Sequence, residues 1–346
     1  MDNKTVMITM ATIAVAVAIC VAAFCVVNGG NSDKDDGDDP YSPTTYPITI
    51  KTYDQEKGRM VDMTFNECPK KVVCVQGGAF EFMLALGLGD YIEVAYIAGG
   101  ADGYPYMSKE IEQAAKKVDV RDRNKINKEE MVLLKPDLIV GWPSVFLSTN
   151  AFCTGTMDEW KSRGTNCYAY GTPATSIQDY YDHLTKVASV FGVQENADKI
   201  INEMKRSTSE IAKKVDPIPE SSKPTVLPLV LSAGYILRAY GNESLAGQFI
   251  ESAGAKLAWE GNLEEMSLEK IADIKPDVII FLISGNDWQD PARVKEYEDW
   301  LYGQEGLASV PAIKDHRVYS YGLSEVSITS VPPVDIFDRI YKDLYG

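Results

Sequence analysis

One segment of this 346-residue chain recurs 140 residues further on. Glu129-Glu130-Met131-Val132-Leu133-Leu134-Lys135-Pro136-Asp137-Leu138-Ile139-Val140 is answered by Glu269-Lys270-Ile271-Ala272-Asp273-Ile274-Lys275-Pro276-Asp277-Val278-Ile279-Ile280. Each copy spells a short amphipathic helix, a Lys-Pro-Asp stop and an apolar strand. Proline cannot continue a helix and pushes the residue before it out of the helical region. An apolar run without alternation suits a parallel strand covered on both faces. Two equivalent α/β lobes follow, and two similar lobes leave a ligand cleft between them.

The length suits two domains with extra segments. With 50 Asp+Glu against 34 Lys+Arg and a formal charge of −16, the chain is not expected to bind nucleic acid, whose phosphates demand a basic surface. Residues 6–27 carry no charge over 22 positions, enough to cross a bilayer as a helix. An uncleaved anchor is the first reading of residues 1–27. A cleaved signal peptide, or lipidation at Cys20 or Cys25, stays open. All three place the rest of the chain on the extracytoplasmic face of the cell membrane, tethered there or released. Residues 28–45, rich in Gly and Asp, are expected to form an acidic flexible tether. Of the four cysteines beyond it, Cys68 and Cys74 lie too far apart on an extended run to pair, at about 20 Å. A Cys153–Cys167 disulfide and four free thiols both remain open.

Patterning predicts a hairpin over 48–65, strands at 72–75, 92–97, 138–140 and 167–170, and helices at 79–86, 109–116, 128–134 and 159–163. Two helical stretches follow, at 177–191 and 195–214. A second α/β set then runs from a strand at 225–231 to a helix at 334–344. Alternating strands and helices predict parallel, doubly wound sheets.

Several residues together resemble a known family, the substrate-binding proteins of ABC importers for ferric siderophores, haem and cobalamin (class III periplasmic binding proteins). They are Gly58-Arg59, Pro69-Lys70-Lys71-Val72-Val73, Glu81 with the stretch from Leu84 to Asp90, both Lys-Pro-Asp copies, and Ser244-Leu245 leading to Ala253-Gly254-Ala255. The resemblance implies two lobes joined by a single long helix, here 195–215, between an N-terminal lobe at 46–194 and a C-terminal lobe at 216–346. It implies an importer component that delivers a metal chelate, a ferric siderophore first and otherwise cobalamin or haem, to ABC permease subunits. It further implies one permease-docking glutamate per lobe, placed at Glu129 and Glu269.

In open α/β sheets ligands bind beyond the carboxyl ends of strands. That rule points to Gly77 and Gly78 after the first strand, Trp142 and Ser144 after the strand of the first repeat copy, and Asn286 and Trp288 after that of the second. Arg238 and Tyr240 are expected at another edge, and Tyr104 and Tyr106 at a rim. Trp142 and Trp288, in nearly equivalent places, would sandwich a large planar or amphipathic ligand.

No nucleophile elbow, phosphate loop or His-Glu-x-x-His is present, so an enzyme is not expected, nor a cofactor. The two histidines are far apart, so no protein metal site is expected, and His183 is read as a helix-surface residue. A monomer is expected. The alternative is a two-lobed ligand-binding protein or sensor ectodomain for another small ligand, such as an oxyanion.

Overall fold

The computed structural model describes residues 44–104, 106–171, 176–232, 235–285, 287–327 and 335–346. The expected membrane segment, nearly all of the tether, and Asn286 lie outside them. Among the described residues, no helix is long and apolar enough to cross a membrane.

The chain enters through an antiparallel hairpin, β1 (Ile48–Asp54) with β2 (Arg59–Phe65), in register from Ile48↔Phe65 to Asp54↔Arg59. The first lobe then alternates β3 (Val72–Val75), α1 (Gly77–Ala85), β4 (Ile92–Ile97), α2 (Gly100–Gly103), α3 (Lys109–Ala115), β5 (Val120–Asp122), α4 (Lys128–Leu134), β6 (Leu138–Gly141), α5 (Met157–Lys161) and β7 (Asn166–Ala169). Its five strands are parallel in the order β5-β4-β3-β6-β7. Strand order reverses between β3 and β6, which is where such a sheet opens a crevice. Two helices follow, α6 (Ile177–Phe191) and α7 (Gln194–Val215), turned at Gly192 with φ 72.

The second lobe runs β8 (Thr225–Ser232), β9 (Ile236–Ala239), α8 (Leu245–Ser252), β10 (Lys256–Leu257), β11 (Glu264–Glu265), α9 (Leu268–Ile274), β12 (Val278–Ile283), α10 (Pro291–Tyr302), α11 (Pro311–Lys314), β13 (Val318–Gly322) and α12 (Ile336–Tyr345). The sheet order is β11-β9-β8-β12-β13, with β10 beside the start of β8. The reversal here falls at β8 and β12. This sheet is not wholly parallel, because β9 runs antiparallel to β8. Residues 233–235 are too few for a crossover, so the chain folds straight back.

The repeated Lys-Pro-Asp is one device used twice. Lys135 and Lys275 end α4 and α9 in the left-handed conformation, at φ 50 and 54. The following proline forbids another turn. Asp137 Oδ2 then accepts the backbone N–H groups of Lys70 and Lys71 at 2.8 and 3.0 Å. Asp277 Oδ2 accepts from Thr225 N at 2.9 Å and Thr225 Oγ1 at 2.6 Å. In both lobes the aspartate ties the start of one central strand to the approach of its neighbour. Asp277→Ala strands those two donors and should cost about 1–3 kcal/mol, measured by urea unfolding. A loss below about 0.5 kcal/mol would show that the clamp is ornamental.

The α7 helix is about 33 Å long at 1.5 Å per residue and reaches from lobe to lobe. At its first turn, Asn196 Nδ2 donates to Leu86 O at 2.9 Å, beyond α1. At its last turn, Lys214 pairs with Asp338 of α12 at 3.1 Å. Its apolar stripe (Ala197, Ile201, Met204, Ile211 and Val215) is buried.

One detail corrects the sequence reading, and another decides between alternatives it left open. His183 is buried, not on a helix surface, because Tyr168 supplies a hydroxyl partner to its Nδ1 at 2.5 Å. Cys68, Cys74, Cys153 and Cys167 are all free thiols. Burial alone pushes the Cys74 thiol far up, and burial with nearby Asp54 does so for Cys167.

Candidate functional site

The crevice of the first lobe begins at Gln76, which leaves β3 with φ 87 and starts α1. The ring of Tyr104 lies directly on Gly77: a Cβ there would stand 2.2 Å from its carbons. Only glycine lets the ring settle over the helix start. Below it, Glu81 is completely buried, and a buried carboxylate needs partners. Met107 N donates to Glu81 Oε1 at 2.8 Å, and Tyr104 Oη donates to Oε2 at 3.4 Å. The loop carrying Tyr104 and Tyr106 is thereby fastened to α1, and the two rings meet edge to face at 5.1 Å. Burial, then Glu81, pushes the Tyr104 phenol far above its ordinary range. The same causes, burial first, put Tyr106 at about 12. Both are neutral phenols at physiological pH.

Gly77→Ala should drive the Tyr104 ring off α1 and loosen its bond to Glu81, costing about 1–3 kcal/mol of overpacking. Thermal unfolding checks this, and an unchanged Tm would contradict the geometry.

Trp142 follows β6, is half-buried, and packs on the same core cluster as Tyr104 and Tyr106. Ser144 is half-buried in the turn Pro143–Phe146. Gly77, Gly78, Tyr104, Tyr106, Trp142 and Ser144 thus belong to the segments that follow three neighbouring strands, β3, β4 and β6.

In the second lobe Trp288 lies in the loop after β12 and covers the end of β13, where a Cβ on Gly322 would stand 2.6 Å from the indole. Asp287 beside it accepts from the Tyr297 hydroxyl and pairs with Arg293 at 3.5 Å. Arg238 and Tyr240 sit deeper along the sheet: Arg238 is opposite Val230, and Tyr240 N donates to Pro228 O at 3.0 Å. The exposed aromatic at the strand end is instead Tyr235, whose ring meets Trp300 at 5.0 Å. Trp142 and Trp288 stand on separate lobes, each against its own sheet.

Three of these features escaped the sequence reading. Glu81 had a signal, a lone acid in the apolar stretch Ala79 to Leu86. Gly322 and Tyr235 had none, since their roles depend on which ring or turn comes near.

A groove of about 620 Å³ opens elsewhere, between the hairpin, α5 and β7. Most of its charges are already matched: Lys51 with Asp62 at 2.7 Å, and Lys57 with Asp54 at 3.0 Å and Asp158 at 2.5 Å. It lies away from both strand-order reversals.

Glu129 and Glu269 occupy the same place in the two lobes, the second residue of α4 and of α9, and both are exposed. Their neighbours are engaged: Glu130 with Arg121, and Lys270 with Glu264 at 2.9 Å. Hydrogen bonds from its own backbone N–H and from Ser267 hold the Glu269 carboxyl below its ordinary range.

A family profile described as periplasmic binding protein matches residues 72–323. The chain is 25% identical over 331 residues to an uncharacterized ABC transporter substrate-binding lipoprotein, YvrC, of Bacillus subtilis (strain 168), covering 95% of each. It superposes on a periplasmic binding protein from Veillonella parvula DSM 2008 with TM-score 0.73 at 25% identity, over 86% of this chain and 92% of that one. An ABC-type Fe3+-hydroxamate transport system protein from Saccharomonospora viridis DSM 43017 superposes with TM-score 0.67 at 22% identity, over 87% and 100%. Two α/β lobes, each with its strand reversal, joined by one long helix and matched to these relatives over most of the chain, place it in the periplasmic binding protein family, as a class III substrate-binding protein of the ABC-importer type and not an enzyme.

Proposed function

We propose that the chain captures a metal chelate outside the cytoplasm and delivers it to an ABC permease, held at the membrane through its N-terminal segment. The observation that carries this reading is the pairing of two features in each lobe. Aromatic side chains stand at the loops by the strand-order reversal, and one exposed glutamate stands at the same helix position (Glu129 or Glu269). Large rings with few rotors suit an amphipathic ligand. The cleft residues in this reading are Gly77, Gly78, Tyr104, Tyr106, Trp142 and Ser144 from one lobe, and Arg238, Tyr240, Asn286 and Trp288 from the other. The ligand class is a ferric siderophore first, otherwise cobalamin or haem. The names of relatives support that range: an iron-uptake system-binding protein of Bacillus subtilis (strain 168) and a vitamin B12-binding protein of Photorhabdus laumondii are both recognisably similar.

Equilibrium titration followed by tryptophan fluorescence tests it. Of ferric siderophores, cobalamin and haemin, one should saturate at one per chain, with a rise in Tm as mass action requires, and with no chemical change in the recovered chelate. A modified chelate, or no saturable binding, would reject the reading.

A further inference from the structure

The proposed cleft has a charge character that bears on which chelate it takes, and the inference rests on that reading of the cleft. The described residues beyond the carboxyl ends of β3, β4, β6, β7, β8, β12 and β13 are 76–78, 98–104, 106–108, 142–156, 170–171, 176, 235, 284–285, 287–292, 323–327 and 335. These are about forty-five residues without a single lysine or arginine, where the chain average of 34 in 346 would place four or five. Their charges are all negative: Asp102, Asp287, Asp290, Glu325 and Asp335. The exception is the loop after the edge strand β5, with Arg123 and Lys125. There the Arg123 guanidinium lies over the Phe152 ring at 4.7 Å.

The cations that open or face the neighbouring helices are mostly occupied. Arg293, in the first turn of α10, contacts Asp287 at 3.5 Å, Tyr297 Oη at 2.8 Å, and Glu296. Arg339 of α12 pairs with the buried Glu325 and with Asp335 at 3.5 Å. Lys109 opens α3 in the same turn as Glu110 and Glu112. Arg238, deeper on β9, has contacts of its own. One remaining element would welcome an anion: the N–H groups at the start of α1. The Tyr104 ring packs against Gly77 at that helix start.

We infer that the cleft selects metal chelates that are uncharged or singly positive and rejects polyanionic ones. A polyanion stripped of water needs paired cations, and these loops supply aromatic faces and carboxylates instead. Aromatic faces favour apolar surfaces and cations. A ferric ion bound by three hydroxamates is neutral, and a corrinoid presents uncharged amides, so both fall inside the selected class. A ferric triscatecholate, with a charge of three minus, and haemin, with two propionates, fall outside it.

The test is equilibrium dialysis of the full chain in detergent, read by elemental analysis of iron and cobalt. The panel is an uncharged ferric trihydroxamate, a monocationic ferric trihydroxamate, cyanocobalamin, haemin and a ferric triscatecholate. At least one of the first three should bind about thirtyfold or more tightly than either anion. Where the cationic chelate binds, its affinity should fall several-fold between about 50 and 500 mM salt, as screening requires. Tight binding of haemin or the triscatecholate overturns the charge selection and leaves chelate capture standing. Silence across the whole panel overturns chelate capture, and the charge selection with it. A gain-of-function variant gives an independent readout: Ser144→Arg should raise triscatecholate affinity about tenfold or more, and no gain would count against the electrostatic account.

Discussion

Reversing the charge at Glu129 and Glu269 together should lower chelate uptake by cells at least about fiftyfold, since like charges set against each other at an interface cost several kcal/mol. Each single reversal should fall between wild type and the double variant. Chelate affinity should stay within about twofold of wild type, because both side chains are exposed at helix starts and neither lies in a strand-end loop. The local fold should tolerate the change. Asn127 accepts from Glu129 N and Glu130 N, so the cap of α4 does not depend on Glu129; at α9 Ser267 accepts from Lys270 N, and the Glu269 carboxyl adds only the bonds from its own N–H and Ser267. A modest penalty for a cation near a helix N-terminus remains. Lost affinity with unchanged docking would remove these residues from the permease contact. Unchanged uptake would remove the contact altogether.

Phe249→Ala should destabilise the protein by about 3–5 kcal/mol, the range for truncating a fully buried phenylalanine. Phe249 sits on α8 with no exposed surface, and its ring stacks on Phe337 of α12 at 5.1 Å and 19°. Both helices border the end of α7: Val215 lies against Gly254, just past α8, and Lys214 pairs with Asp338 of α12. The cavity therefore opens where the connecting helix is seated, and little can collapse into it without moving that helix. Phe337→Leu, which keeps most of the volume, should cost under about 1.5 kcal/mol. Guanidinium unfolding distinguishes the two. Equal losses would mean that the stack, and not the filled volume, carries the stability.

The parts of the fold that were legible in the sequence are those fixed by local chemistry. Lys-Pro-Asp marks a helix end and a strand start wherever it occurs, and the structure adds what the aspartate does there. The connecting helix, expected over 195–214, runs Gln194–Val215, because its apolar stripe and the prolines after it set both ends. What the sequence could not show depends on distant partners. Residues 237–242 are expected at another edge of the cleft, with no strand assigned to them. Ile236–Ala239 nevertheless pairs with β8, since the short turn before it leaves no other course. His183 reads as polar and exposed until Tyr168 is brought beside it. Glu81 entered the sequence reading only among the residues that carry the resemblance, and only the fold supplied Met107 N and Tyr104 Oη as its partners. Within the candidate site, positions next to strand ends were readable from the α/β rule. The seating of Trp288 on Gly322 was not, because β13 and the loop after β12 come together only through the parallel pairing of the two strands.

Hydrogen–deuterium exchange of the full chain, with and without a saturating uncharged ferric trihydroxamate, tests the central claim most directly, because it reports where the chelate sits. The account predicts protection in 98–108, 142–147 and 284–290, the loops of both lobes that carry Tyr104, Tyr106, Trp142 and Trp288, with little change at the hairpin. Protection confined to 51–64 and 157–167, around the groove between the hairpin and α5, would place the ligand on the wrong face and contradict it.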